Sequence, residues 1–291
     1  MNLIDIFSRY PDQESCIEHL ETVRFGDTPH CPLCGATAVG RKADGDRVGR
    51  WNCQTCKSSF NVLSGTVMEK TRIPLQKWFL GIGIMVNAKK SVSSHQLARD
   101  LDLTQPTALY MQTRIRSEMA SKDGFAQLQG VVEVDETYVG GRPRKDDNKP
   151  SKRGRGTRKT AVIGAVERGG KVVAQATGKT AGHNIVKFLR KNVKPQGTLL
   201  VTDEYKGYAQ VHRQYAHSVI NHSKEYVNGL THTNTIEGFW SLVKRSWYGS
   251  HHHYSVKYLP LYIAESAWKY NNRKSRNPNA FSSFIRGCFA R

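Results

Sequence analysis

Residues 198–204 read TLLVTDE: an apolar, β-branched run that ends on two acids. Such a run is a buried strand. In a sheet covered by helices, ligands gather beyond the carboxyl ends of the strands, so Asp203 stands where chemistry is done. The surrounding chain supplies the rest of such a sheet. VVEVDETYVGG (131–141) is a strand by its β-branched content, and TAVIGAVERGGKVVAQATG (160–178) is a hairpin turning at Arg168-Gly169-Gly170. HNIVKFLRKNV (183–193) is a helix, YAHSVINH (215–222) another strand, and HTNTIEGFWSLVKR (232–245) contains a second helix. Strands in hairpins followed by strand–helix alternation predict an α/β mixed sheet with helices on its faces.

Three acids stand out within that scheme: Asp135 inside the first strand, Asp203 at the end of the buried one, and Glu237 on the later helix. On that helix Ile236, Phe239 or Trp240, Val243 and Trp247 recur on the buried side, while Glu237, Ser241 and Lys244 share one exposed stripe. A charged stripe is most often merely solvated. Three carboxylates brought together, however, repel one another unless cations bridge them, and oxygen ligands suit Mg²⁺. Two such ions serve phosphodiester chemistry. The residues alone thus reach a metal-dependent nuclease or phosphoryl-transfer enzyme acting on nucleic acid. Glu133 alternates onto the strand face of Asp135 and is expected to be solvated, with support of that face as its other possible role. Trp240 is expected in the core rather than stacked on a base. His251, His252 and His253 are expected to serve structure or DNA-backbone contact rather than zinc.

Charge agrees with a polyanionic partner. The 291 residues carry 44 Lys and Arg against 24 Asp and Glu, a net +20. A membrane surface is the weaker choice, because the longest apolar run, WFLGIGIMV (78–86), is too short to span a bilayer. Asp5 also stands where a secretory leader would carry positive charge. The expected setting is the cytoplasm, associated with the nucleoid, with no membrane partner. Residues 142–159 (RPRKDDNKPSKRGRGTRK) hold nine basic residues against two acidic ones and read as a loop gripping phosphates, Arg153 and Arg155 among them.

CPLC (Cys31, Cys34) and CQTC (Cys53, Cys56) are separated by 18 residues. That spacing suits one structural Zn²⁺ held by two thiolate knuckles of a zinc ribbon. Cys16 and Cys288 are left as small buried hydrophobes. Residues 1–25 are expected to form an amphipathic helix, and PLQKWFLGIGIMVN (74–87) another. SVSSHQLARDLDLTQPTALYMQTRIRSEM then reads as a helix-turn-helix, with a first helix near 94–100, a turn through LDL and a second helix capped by Thr104. Gln105, Thr107, Tyr110 and Arg114 are its candidates for groove contact. Two packed helices without a DNA role are the alternative.

The ordered series CPLCG, WNCQTCKSSFNVLSGT, VVEVDETYVGG, LLVTDEYKGY, HTNTIEGFWSLVKR resembles bacterial insertion-sequence transposases with a zinc ribbon and a DDE catalytic domain. The resemblance extends from about Phe7 to about Asn272. It implies an RNase H-like core in which Asp135, Asp203 and Glu237 bind two Mg²⁺ (or Mn²⁺). It also implies that Lys244, seven residues after Glu237, contacts DNA, with Arg245 beside it. Some members carry Asn as the third acid, which makes Asn234 the alternative to Glu237. The expected organisation is multidomain: 1–66 an N-terminal helix and zinc ribbon, 67–123 the helix-turn-helix region, and 128–285 the catalytic domain with the basic loop. The expected function is binding of terminal inverted repeats, cleavage to free a 3′-OH, and joining of that hydroxyl to target DNA. Work on two element ends favours a homodimer or higher homo-oligomer on double-stranded DNA. A non-catalytic DNA-binding regulator, and an RNase H-like nuclease without strand transfer, are the alternatives.

Overall fold

The computed structural model describes residues 1–42, 49–122, 127–141, 157–220, 232–274 and 277–289. The chain forms two compact units, Met1–Glu118 with Lys274–Arg291, and Met119–Arg273.

The first unit opens with two helices where the sequence suggested one. α1 (Leu3–Arg9) stops at Tyr10, and Asp12 starts α2 (Gln13–Phe25) by accepting from the Ser15 N–H. The break has a local cause. Pro11 cannot continue the hydrogen-bond ladder, and Asp12 supplies a capping box beside it. The ribbon strands β1 (Val39–Arg41), β2 (Arg50–Cys53) and β3 (Ser59–Asn61) form an antiparallel sheet in that order. Glu21 of α2 anchors it, accepting from Trp51 Nε1 at 3.0 Å and pairing with Arg41.

α3 (Leu75–Asn87) is the buried axis of this unit, with Leu75, Trp78, Phe79, Ile82 and Met85 fully enclosed. Its Gly81 and Gly83 allow close approach, since a Cβ there would sit 2.6 Å from Met111 Sδ and 2.5 Å from Ile6 Cδ1 respectively. α4 (Ser94–Leu101) is capped by Ser93 and ends at Asp102 in the left-handed region, followed by α5 (Gln105–Lys122). Lys77 Nζ holds the turn by donating to the Asp102 carbonyl at 2.8 Å.

The second unit is a five-stranded sheet built on β4 (Leu128–Val139). β5 (Thr160–Glu167) and β6 (Val172–Thr177) extend it antiparallel on one side, and β7 (Val193–Thr202) and β8 (Ala216–Val219) extend it parallel on the other. The spatial order is β6-β5-β4-β7-β8, the mixed sheet of an RNase H-like fold. Helices cover both faces. α6 (Gly182–Asn192) buries Ile185 and Leu189 against Val132, Val134 and Leu200. α7 (Asn234–Ser246) and α8 (Leu259–Asn271) bury Ile236, Phe239 and Ile263 against Val162 and Val166 on the other. Fully burying side chains of this size contributes about 1.5–3 kcal/mol each. Alternation along β4 therefore fixes which of its residues look toward α7: Glu133, Asp135 and Thr137 lie on that side, opposite Val132 and Val134.

The last helix, α9 (Asn277–Gly287), belongs to the first unit, where Phe281 packs edge-on against Phe79 at 5.6 Å between ring centroids. The second unit thus closes at Arg273, short of the boundary at 285 expected from sequence, because the apolar face of α9 fits α3.

Candidate active site

Three elements of the second unit deliver the expected acids to one cleft of about 590 Å³. Its walls include Asp135 on β4, Asp203 immediately after β7, and Glu237, Lys244 and Arg245 on α7. β4 and β7 are parallel neighbours, so their carboxyl ends open on the same side of the sheet. The stripe on α7 runs past them, carrying Ser241, and Tyr248, 64% exposed, lies in the turn just beyond the helix.

Each acid is held. Trp240 Nε1 donates to Asp135 Oδ2 at 3.0 Å, and the indole is buried as expected. Gly164, directly opposite Asp135 on β5, makes room for that ring. A Cβ at 164 would lie 2.7 Å from it. Asp203 Oδ1 accepts from the Tyr205 N–H at 3.1 Å, and Glu237 Oε1 accepts from the Thr233 hydroxyl at 2.9 Å. Arg245 folds back onto the Ser241 hydroxyl. Asn234 is exposed at the first residue of α7 and is not among the side chains lining the cleft.

Burial, the charge of Glu136 and then that of Asp203 push the Asp135 carboxyl up to about 7, against hydrogen bonds from backbone and Trp240. A group forced toward the neutral form by its neighbours is one that a cation would return to the carboxylate. Hard oxygen donors lining one cleft are the chemistry that suits Mg²⁺ or Mn²⁺.

Sequence reading gave Glu136 no place in the cleft and favoured a solvated Glu133 over a supporting one. Glu136, on the opposite face of β4, also reaches the cleft and accepts from the buried Tyr208 hydroxyl at 2.8 Å. Glu133 is not solvated; it is fully buried. Its partners come from α7 and the β5–β6 turn, so nothing near it in sequence signals the burial.

In the first unit, the sulfurs of Cys31, Cys34, Cys53 and Cys56 lie within 4.8 Å of one another, with Cys31–Cys56 at 3.7 Å and Cys34–Cys53 at 3.6 Å. A tetrahedral ion with Zn–S of about 2.3 Å spaces its sulfurs at roughly 3.8 Å, so the four thiols fit one zinc. Among the described residues this is the one group of three or more such side chains whose donors are close enough to share an ion. The three cleft acids stand further apart, as like charges do. Cys16 and Cys288 are buried. His251 packs against Tyr262 at 4.8 Å between centroids.

The groove candidates divide. Tyr110 is exposed, Gln105 donates to Ser94 Oγ, and Thr107 bonds to Thr104. Arg114 is engaged within the unit instead of presented to a groove. Its guanidinium donates to the carbonyls of Val67 and Thr66 at 2.6 and 3.1 Å, bracing the segment before α3. Arg153 and Arg155, with residues 142–156 of the basic loop, lie outside the described residues. No described helix is long and apolar enough to cross a membrane.

Family models match both the ribbon and the sheet-bearing segment. A transposase zinc-ribbon domain matches residues 11–59, and an ISXO2-like transposase domain matches residues 127–271, both of the IS1595 type. A protein described as an uncharacterized protein in transposable element ISH50, from Halobacterium salinarum, is 29% identical over 258 residues, covering 84% of this chain and 86% of its own length. Among solved structures, a pre-cleavage Mos1 transpososome aligns over 69% of this chain and 75% of its own at 11% identity, with a TM-score of 0.28. The Mos1 paired-end complex with the left transposon end aligns at 12% identity over 71% of this chain and 78% of its own, also at 0.28. With a zinc ribbon ahead of an RNase H-like transposase domain, the chain belongs to the IS1595-type insertion-sequence transposases.

Proposed function

We propose that this transposase binds the terminal inverted repeats of its element, hydrolyses a phosphodiester to free a 3′-OH, and joins that hydroxyl to target DNA. The observation that carries this reading is the convergence of Asp135, Asp203, Glu237 and Lys244 on one cleft. Asp135, Asp203 and Glu237 would hold two Mg²⁺ or Mn²⁺ ions. When bound, such ions polarise the scissile phosphate and stabilise both the attacking and the leaving oxygen of an in-line displacement.

The chain's own groups do the rest. Trp240 keeps the Asp135 carboxylate aimed into the cleft, and Thr233 does the same for Glu237. Lys244, exposed one and two turns beyond Ser241 and Glu237, neutralises the backbone phosphate beside the reacting one, with Arg245 next to it. In the first step water displaces the 3′-oxygen from phosphorus. In the second, that 3′-OH displaces a 3′-oxygen of the target strand, so bonds are exchanged without a covalent enzyme intermediate. The ribbon, with one structural zinc, and the α4–α5 pair would recognise element ends, Gln105, Thr107 and Tyr110 facing the groove. Arg153, Arg155 and their loop would grip phosphates. Two ends imply a homodimer or higher assembly on DNA, acting in the cytoplasm at the nucleoid.

The test is an incubation of the zinc-loaded protein with DNA carrying the element's ends and a target plasmid, with Mg²⁺ supplied or omitted. Joined products that require Mg²⁺ support the reading. Nicked ends that never join indicate a nuclease without strand transfer, and end binding without nicking indicates a DNA-binding regulator.

A further inference from the structure

The first turn of α7 lacks the cap that its own sequence offers. Thr233 occupies the N-cap position, yet its side chain makes no bond to the helix amides; its hydroxyl donates instead to Glu237. A helix start must satisfy its free N–H groups, and here the acceptor comes from a strand 102 residues away. Glu133 Oε2 accepts from the Thr235 and Ile236 amides at 2.8 and 3.0 Å, the two N–H groups an N-cap side chain would serve. Its Oε1 accepts from the Thr235 hydroxyl at 2.8 Å and from Arg168 Nε at 2.6 Å, with His232 Nδ1 at 3.3 Å. Arg168 in turn donates to the His232 carbonyl at 2.9 Å, tying the entry to α7 into the same cluster.

We infer that Glu133 is a positioning residue for the cleft. By capping α7 from β4, it releases Thr233 to orient Glu237 and fixes Glu237 relative to Asp135. The argument is geometric. Glu133 and Asp135 share one face of one strand, and each grips α7: Glu133 at the N-terminus, Asp135 through Trp240. Two points of attachment set both the position of the helix along the strand and its rotation about its own axis. A fully buried carboxylate paired with a guanidinium is a poor device for stability alone, since an apolar pair often does as well. A local Ser or Asp cap would also have sufficed for the helix. What the remote cap adds is a fixed spacing between two acids on different elements, and a misplacement of about 1 Å at such a site is costly.

This proposal rests on the reading that the cleft binds divalent cations for catalysis. Its test uses the full chain with zinc retained in the ribbon. Mn²⁺ binding is titrated by electron paramagnetic resonance without DNA, and cleavage is followed as Mg²⁺ is varied. For Glu133→Gln, the expected result is a folded protein that binds element ends within about twofold of wild type. Its Mn²⁺ affinity should fall at least tenfold, and its half-maximal Mg²⁺ concentration for cleavage should rise in step. Thr233→Val, which leaves the Glu133 cluster in place, should weaken Mn²⁺ binding in the same way and keeps the proposal testable if Glu133→Gln does not fold. Wild-type Mn²⁺ affinity in folded Glu133→Gln overturns the role of Glu133, and wild-type affinity in Thr233→Val overturns its transmission through Thr233. If Glu237→Gln itself titrates like wild type, the cation reading of the cleft fails, and this proposal with it.

Discussion

The two donor sets of this chain are assembled in opposite ways. Four thiols from two tight knuckles close on a single point, their sulfurs within 4.8 Å. Three carboxylates from β4, the end of β7 and α7, separated by 68 and 34 residues in sequence, stand around an open cleft. Zinc takes thiols as thiolates, and four of them complete a tetrahedron with no position left over. Carboxylates resist being gathered out of water, and Asp135 registers that cost: burial first, then the charges of Glu136 and Asp203, raise its pKa. The first arrangement builds structure; the second leaves room for a phosphate.

Removing zinc probes the closed site and should have the largest effect. Structural zinc contributes roughly 10 kcal/mol or more to small ribbons. Cys53→Ser, or chelation, should unfold the ribbon and abolish end binding while the sheet of the second unit keeps its circular dichroism. Retained end binding in the zinc-free protein would break the comparison.

The open site should respond to packing behind it. Gly164→Ala places a methyl where the Trp240 ring lies, and overpacking of this kind costs about 1–3 kcal/mol. Thermal unfolding should fall accordingly, and cleavage should drop because Trp240 no longer holds Asp135. Full activity and stability would mean that the ring is not constrained as described.

Electrostatics sharpen the contrast at a smaller scale. The Asp135 pKa is raised from 3.8 to about 7 in the folded protein, so the native state holds a proton there that the unfolded chain has released. Its contribution to stability is complete below pH 3.8 and is lost as pH rises through about 7. Asp135→Asn should therefore stabilise the magnesium-free protein at pH 8 by about 1–2 kcal/mol and have little effect near pH 4. Denaturant unfolding at the two pH values reads this directly. Equal effects at both would show that burial and the neighbouring acids do not raise the Asp135 carboxyl as described.

How much of this was legible in the sequence follows the same division. The CxxC pairs are local, and their spacing alone identifies a ribbon. The strand ending at Thr202 and the stripe on α7 could be read from periodicity, because burial writes itself at intervals of two and of 3.6 residues. What could not be read is side-chain partnership across distance. Glu133 resembled a solvated glutamate until Arg168 and the amides of Thr235 and Ile236 closed around it. Arg114 resembled a groove residue because it lies on the second helix of the pair, yet its guanidinium is taken up by backbone carbonyls nearly fifty residues earlier. The start of α2 was legible in Pro11-Asp12, but the short α1 before it carries too few turns to show a period of its own. The placement of α9 was not legible, since an amphipathic helix does not name the surface it covers.

The identity of the third acid is the most direct test of the central claim. Cleavage of end-bearing DNA should be compared for wild type, Glu237→Gln and Asn234→Ala, with zinc bound and Mg²⁺ saturating. Glu237→Gln is expected to lose at least about a thousandfold in rate while still binding ends, a loss of roughly 4 kcal/mol in transition-state stabilisation, and Asn234→Ala to cleave nearly as wild type. An active Glu237→Gln beside an inactive Asn234→Ala would contradict the account, because the residue that lines the cleft would then not be the one that does its chemistry.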